Sequence, residues 1–348
     1  MNFRKILTNW YSVYKRELPW RNTKNPYNVW LSEIILQQTQ IKQGLPYYNA
    51  FVDQYPTIFD LANANEAEVL KLWQGLGYYS RARNLLATAK FITDELDGKF
   101  PKTYNDLLQL KGVGDYTASA IASICYDQPN AVVDGNVYRV LSRFFGIDTP
   151  INSTQGVKEF KTLATSLIDK QHPGEYNQAI MEFGARQCKP KNPDCTICPL
   201  MSNCFAFHNH KIDDLPAKLK KTKVTTKYFN FLVFVSADKK TMFHKRTGNG
   251  IWRNLYQFPL VETKSALNPE QFKTHPKVIS ILKGIPFEFS LYNTTDIVHK
   301  LSHQHLHTKF WIVEVNTLPE EGVLYRDLQK FPTPVLISNF IDEFKFPI

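Results

Sequence analysis

Apolar residues along the first two hundred positions recur at helical spacing. Val29, Trp30, Ile34 and Leu36 share one period with no internal Pro or Gly, which predicts a helix over 29–41. The same pattern predicts helices over 66–73, 80–96, 103–110, 116–126, 156–170 and 176–187. Val137, Val140, Leu141 and Phe144 place another after Asp134. Short Gly-rich breaks separate these stretches, as at Gly75-Leu76-Gly77 and Gly112-Val113-Gly114. The texture changes after Cys204. Residues 208–227 are lysine-rich, carry Pro216 and have little to bury, so they read as a linker. Residues 228–235, 241–246 and 310–315 are β-branched and aromatic, as strands are. The predicted organisation is a mainly α domain over 1–207, a linker over 208–227 and an α+β domain over 228–348.

The chain is 43% apolar and 21% charged, which fits an ordinary globular protein of two domains. Its formal net charge of +10 favours a polyanionic partner, nucleic acid first. No apolar run reaches the roughly 20 residues of a membrane span, and no apolar segment follows the basic N-terminus. A cytoplasmic chain without membrane contact is expected. Four of its five cysteines crowd between Cys188 and Cys204, too local a group for a disulfide framework.

Cys188, Cys195, Cys198 and Cys204 follow the spacing C-x6-C-x2-C-x5-C. Thiolates at such range bind zinc or an iron–sulfur cluster. Zinc sites usually pair their ligands in two close knuckles, and only one close pair exists here, so the spacing tilts toward a cluster. Lys189 and Lys191 within the loop can meet a phosphate. Cys125, among Ile121 and Ile124, reads as a core residue.

Gly112-Val113-Gly114 joins two helices. Glycines there permit positive φ and close backbone approach, and the free N–H groups of the next helix can face a phosphate. Asp115 at that helix start opposes a phosphate. Asp134 is an N-cap candidate, and a helix start favours its charged form. Glu33 has Val29, Trp30 and Leu36 as helical neighbours. A carboxyl on an apolar face is neutral with a raised pKa, or is held by a buried Arg or Lys. The glutamines that follow, Gln37, Gln38 and Gln40, offer flat polar groups able to probe base edges.

These features in this order resemble the helix–hairpin–helix DNA glycosylases of the endonuclease-III-type superfamily, over about residues 20–207. The resemblance implies that the four cysteines hold a [4Fe–4S] cluster. Lyase members carry a lysine two residues after the second hairpin glycine, where this chain has Tyr116, so no Schiff base can form there. Glu33 within SEIILQQTQ, the run GLGYYSRARN at 75–84 and VDGNV around Asp134 look like the adenine DNA glycosylase branch (the MutY type). That branch implies duplex DNA with adenine opposite 8-oxoguanine or guanine as substrate. It also implies Glu33 as proton donor, Asp134 as counter-charge, Tyr116 and Asn136 holding Asp134, and Gln38 and Tyr78 as wedge residues.

Asn249-Gly250-Ile251-Trp252 and Phe258-Pro259 resemble the entry of a Nudix-like lesion-reading domain. The paired-glutamate run of a catalytic Nudix helix is missing from 262–284, so recognition without Mg²⁺ or a nucleotide cofactor is expected. Leu301-Ser302-His303 is similar to the branch's Phe-Ser-His reading loop, with Leu301 in place of Phe. His299, His303, His305 and His307 read as a polar face rather than a metal site. Nothing in the chain suggests more than a monomer, and a cytoplasmic, nucleoid-associated location is expected. Two rivals are a bifunctional pyrimidine glycosylase/lyase of the same fold, opposed by Tyr116, and a non-catalytic metal-stapled DNA-binding protein, opposed by Glu33 and Asp134 together.

Overall fold

The computed structural model describes residues 3–220 and 224–347. Contacts divide the chain into two compact units, one of residues 1–63 with 83–220, the other of residues 64–82 with 221–348. The division differs from a cut near 207, because residues 64–82 belong with the C-terminal part. Residues 221–223, inside the stretch read as a linker, lie outside the described residues. The stretch before them is packed. Leu215 is buried, its carbonyl accepts from Arg143 Nε at 3.0 Å, and Ala217 O accepts from Ile151 N. Among the described residues no helix is long and apolar enough to cross a membrane.

The first unit is helical. Its central helix, Pro26–Leu36, starts where Asn25 accepts from Tyr27 N at 2.9 Å and Pro26 supplies a preset φ. Residues 27 and 29–35 are all buried, as expected of a helix apolar on every side. It ends at Leu36, five residues short of the expected Ile41. Gln38 turns to φ 55° and a second helix, Ile41–Gln54, follows. No Pro or Gly marks this break. The exit is held from outside, by Gln37 Nε2 donating to Thr117 Oγ1 at 3.3 Å.

Pro26–Leu36 packs on Asp115–Tyr126, whose Ala118, Ala120 and Ala122 are fully buried and let the two helices approach. Pro173–Arg186 packs on Asp115–Tyr126, on Gly135–Phe145 and on Phe3–Tyr14, a helix the apolar pattern had not suggested. Gly184 makes one of these contacts possible. A Cβ there would lie 2.7 Å from Asn136 Cβ and 2.8 Å from its carbonyl oxygen.

The second unit holds a five-stranded sheet. Thr225–Ser236 runs parallel to Gln304–Val315 along its whole length and antiparallel to Leu260–Thr263. Gln304–Val315 also pairs antiparallel with Glu288–Leu291 and with Ile297–Lys300. The unbroken buried run Phe229–Phe234 marks a strand covered on both faces. Phe272 stacks on Trp311 at 4.1 Å from one side, and Phe340 stacks on Phe310 at 4.1 Å from the other. Buried Asn230 accepts from Trp311 Nε1 at 3.1 Å and donates to Thr263 Oγ1, so its polar atoms are paired. The expected strand at 241–246 is instead two short ones, Lys240–Thr241 and His244–Lys245.

Candidate active site

Glu33, Tyr116, Asp134 and Asn136 converge on one cavity of about 160 Å³ in the helical unit. Sequence reasoning chose these four from three separate stretches of chain. Glu33 is 8% exposed, and burial lifts its pKa to about 7. The Tyr116 hydroxyl hydrogen-bonds to it and pulls the other way, as does the more distant charge of Arg21, while Asp134 pushes it up. Tyr116 OH also lies 3.2 Å from Met181 Sδ. Burial and the two carboxylates hold the phenol well above its ordinary range, so it is a neutral hydrogen-bond donor.

Asp134 caps Gly135–Phe145. One carboxylate oxygen accepts from Asn136 N at 2.9 Å and Val137 N at 2.8 Å, and the other from Asn136 Nδ2 at 2.7 Å. It is therefore both a cap and a cavity residue. The helix start was expected to favour its charged form. The two backbone N–H bonds of the cap, the Asn136 amide and Arg139 do pull its pKa down, while burial pulls it up and is the larger effect. A cap supplies dipoles, but the protein around it also removes water.

The cavity includes residues sequence reasoning missed. Glu182, 1% exposed at its side chain, accepts from Arg16 Nε and Nη2 at 2.7 and 2.6 Å and from Arg21 Nη2 at 2.7 Å. These bonds and charges bring its pKa to about 2 against the opposing effect of burial. The cations of this cavity thus engage Glu182 directly, and Glu33 feels only the charge of Arg21. The run Arg16-Glu17-Leu18-Pro19-Trp20-Arg21 carried no periodic signal that could have paired it with a helix far along the chain.

Arg139 was also missed. Its guanidinium donates to Asn136 Oδ1 at 2.9 Å, Gly184 O at 2.6 Å and Cys188 O at 2.7 Å. One turn on, Arg143 donates to Lys189 O at 2.7 Å and Pro190 O at 3.2 Å, and its Nη1 lies 3.5 Å from Cys188 Sγ. A single helix thus carries Asp134 at its start and grips the cysteine loop along its length. All four loop cysteines are free thiols, partly covered. Cys188 and Cys204 both approach Arg143, Cys188 Sγ lying 3.5 Å from its Nη1 and Cys204 Sγ 3.5 Å from its carbonyl oxygen. Among the described residues no three His, Cys, Asp or Glu side chains form a group suited to a single metal ion. Cys125, expected in the core, is half-buried, and burial pushes its thiol up to about 12.

The hairpin turns at Gly112, φ 81°, where a Cβ would lie 2.9 Å from Asn84 Cβ. Gly114 needs no such freedom, since its backbone is extended at φ −99° and ψ −177°. Val113 is buried, which leaves backbone as the face the turn can offer. Asp115 is not a bare charge, because Lys161 Nζ lies 2.9 Å from it and Tyr104 OH donates to it at 2.6 Å. Gln38, Lys189 and Lys191 are exposed in the same unit.

In the second unit, Tyr78 is 47% exposed at φ 46°. Ser302 and His303 are exposed at the turn between Ile297–Lys300 and Gln304–Val315, with Leu301 N donating to Gln304 O at 2.8 Å. His299 pairs across the ladder with Leu306, so it shares that residue's face, while His305 and His307 lie on the other. His307 faces Asp296 at 3.4 Å.

Comparisons with known proteins agree with this architecture. Residues 31–164 match the HhH-GPD superfamily of base excision DNA repair proteins, and residues 230–343 match the NUDIX domain. An adenine DNA glycosylase of Buchnera aphidicola subsp. Baizongia pistaciae is 36% identical over 313 residues, covering 89% of this chain and 86% of that protein. The human adenine DNA glycosylase is 46% identical over 213 residues, 59% of this chain and 39% of that one. The solved structure of a thermostable thymine-DNA glycosylase superposes with a TM-score of 0.55 at 27% identity, over 60% of this chain and 95% of that chain. With its two carboxyls on one cavity, its hairpin and its Nudix-like second unit, the chain belongs to the adenine DNA glycosylase family, hydrolases of base excision DNA repair.

Proposed function

We propose that this enzyme hydrolyses the N-glycosidic bond of adenine placed opposite 8-oxoguanine or guanine in duplex DNA, acting as a monomer. The observation that carries the reading is Glu33: a buried carboxyl with a pKa near 7, bonded to a phenol and facing a second carboxyl. Adenine leaves poorly as an anion. Once the nucleotide is flipped, at a cost of a few kcal/mol that a mispair lowers, protonated Glu33 donates to N7. The C1′–N9 bond breaks and adenine departs neutral. The positive charge left on the deoxyribose faces Asp134, whose three hydrogen bonds support the ionised form against burial. Water adds at C1′ and gives its proton to the Glu33 carboxylate, which restores the acid. Tyr116 bonds to Glu33, and Asn136 orients Asp134. With a phenol at position 116 there is no amine to trap the sugar.

The hairpin backbone at Gly112, Val113 and Gly114, with Lys189 and Lys191, would hold phosphates. Gln38 and Tyr78 would act as wedges in the opened base stack, Tyr78 by aromatic stacking, and Ser302 with His303 would read the opposing lesion. Four soft donors in a loop pinned by Arg143 fit a [4Fe–4S] cluster held by Cys188, Cys195, Cys198 and Cys204. When bound, that group staples the loop and supplies no proton or nucleophile to the reaction.

A base-release assay on defined duplexes tests the reading. Free adenine should appear from duplexes with adenine opposite 8-oxoguanine, and the strand should break only after alkali. Strand scission without alkali on an oxidised pyrimidine, with no adenine release, would instead support the lyase of the same fold.

A further inference from the structure

Tyr78 sits in a turn that its own sequence holds poorly. Gly75, Gly77 and Tyr78 all have positive φ, at 101°, 72° and 46°. For Tyr78 this is the left-handed region that L side chains avoid. Part of the restraint is local. Trp73 Nε1 donates to Gly77 O at 3.0 Å, and Arg81 Nη2 donates to Leu76 O and Gly77 O at 3.3 Å. The Arg81 guanidinium also lies over the rings of Trp73 and Tyr78.

The rest comes from near the C-terminus. Gln74 uses both ends of its amide. Its Oε1 accepts from Thr333 N at 3.1 Å, and its Nε2 donates to Ser338 Oγ at 2.9 Å. Tyr79 OH donates to Thr333 O at 3.2 Å, and Lys71 Nζ donates to Phe331 O at 3.3 Å. Thr333 is 2% exposed and Tyr79 6%, so the bond between them is shielded from water, and the other three are partly so. The residues on either side of Tyr78 are thus tied to 331–338, and Tyr78 falls in the same folded unit as Ser302 and His303.

We infer that Gln74 and Tyr79, with Thr333 and Ser338, are positioning residues that set the Tyr78 turn in the frame of the lesion-reading unit. The stacking residue, though it lies among the helices in sequence, is registered by the same sheet unit that presents Ser302 and His303. Removing the C-terminal residues would then remove two readers of the lesion, the Ser302-His303 turn and the support of Tyr78. This inference rests on the reading of Tyr78 as a stacking residue given above.

The test uses the full chain and single-turnover adenine release from two duplexes, adenine opposite 8-oxoguanine and adenine opposite guanine. The readout is the ratio of the two rates, which a general loss of folded enzyme lowers in neither direction. Tyr78→Ala should reduce the ratio by about 10-fold, the scale of one lost base–aromatic stack. Gln74→Leu should reduce it severalfold, and Gln74→Leu with Tyr78→Ala should be no worse than Tyr78→Ala alone. If Gln74→Leu fails to fold, Tyr79→Phe with Ser338→Ala deletes hydroxyls only, removing the Gln74–Ser338 and Tyr79–Thr333 bonds together with the 3.4 Å bond from Gly75 N to Tyr79 OH, and should give a comparable loss. A normal ratio in these tether variants, or a loss that adds to that of Tyr78→Ala, overturns the inference while leaving Tyr78 as a stacking residue. A normal ratio in Tyr78→Ala overturns both.

Discussion

Two buried glutamates line one cavity, and the structure drives them to opposite protonation states. Glu33 comes from Pro26–Leu36 and Glu182 from Pro173–Arg186. Glu182 is met by two guanidiniums through three hydrogen bonds and by the Arg16 backbone N–H through a fourth, and its pKa falls to about 2. Glu33 is met by a phenol and a second carboxyl, and its pKa climbs to about 7. Burial opposes charge at both sites, so the partner decides the outcome. A cavity wall that holds a fixed anion on one side can keep a proton available on the other. Such separation of two like groups is how one site obtains both an acid and structural charge.

The largest expected effect is at the protonated member. Glu33→Gln keeps the size of the side chain and loses the proton for N7. Single-turnover adenine release should fall by about 10³-fold or more while duplex binding persists. In the wild type the rate should fall as pH rises through about 7, and that limb should vanish in the variant. Stability should move the other way. The folded pKa of Glu33 lies above its ordinary value of 4.5, so its contribution is present at low pH and is lost as pH rises through about 7. Glu33→Gln should therefore raise the melting temperature at pH 8 relative to wild type. Near-normal release by this variant would place the acid elsewhere.

The next test works through the neighbours of Glu33. Asp134→Asn should lower release by about 10²–10³. Because the Asp134 charge raises the pKa of Glu33, the alkaline limb of the remaining activity should shift to lower pH. Tyr116→Phe deletes a bond that lowers that pKa, so its limb should shift to higher pH with a milder loss of rate. Shifts of the same sign in both variants would contradict the arrangement of the three groups.

The smallest effect on chemistry, and one mainly on stability, is at the ionised member. Glu182 has a folded pKa of about 2 against an ordinary 4.5, so its stabilisation is present above 4.5 and is lost as pH falls toward 2. The shift corresponds to about 3 kcal/mol. Glu182→Gln should cost about 3–5 kcal/mol at neutral pH, because two guanidiniums lose their anion, and should flatten the acid limb of unfolding measured by denaturant titration. An unchanged midpoint would mean that water replaces the carboxylate there.

Much of the helical unit was legible because its signals are local. The apolar face of Glu33, the hairpin glycines and the cap at Asp134 each lie within one turn of helix. The break at Gln37–Gln38 was not legible, since it depends on Thr117 from a helix remote in sequence. Nor was the membership of 64–82 in the second unit, for the bonds of Gln74 to Thr333 and Ser338 have no counterpart in any local pattern. The parallel pairing of Thr225–Ser236 with Gln304–Val315 is equally non-local.

The amino-acid sequence by itself determined which groups the site has to work with. It supplied two carboxyls, a phenol where an amine would change the reaction, and four thiols at cluster spacing. It also determined that Glu33 starts from an apolar helix face. Tertiary structure alone decided which buried carboxyl receives the arginines, how far Asp134 is withdrawn from water, and which unit carries Tyr78. Composition and periodicity act within a few residues, whereas desolvation and ion pairing are set by whatever the fold brings within a few ångströms.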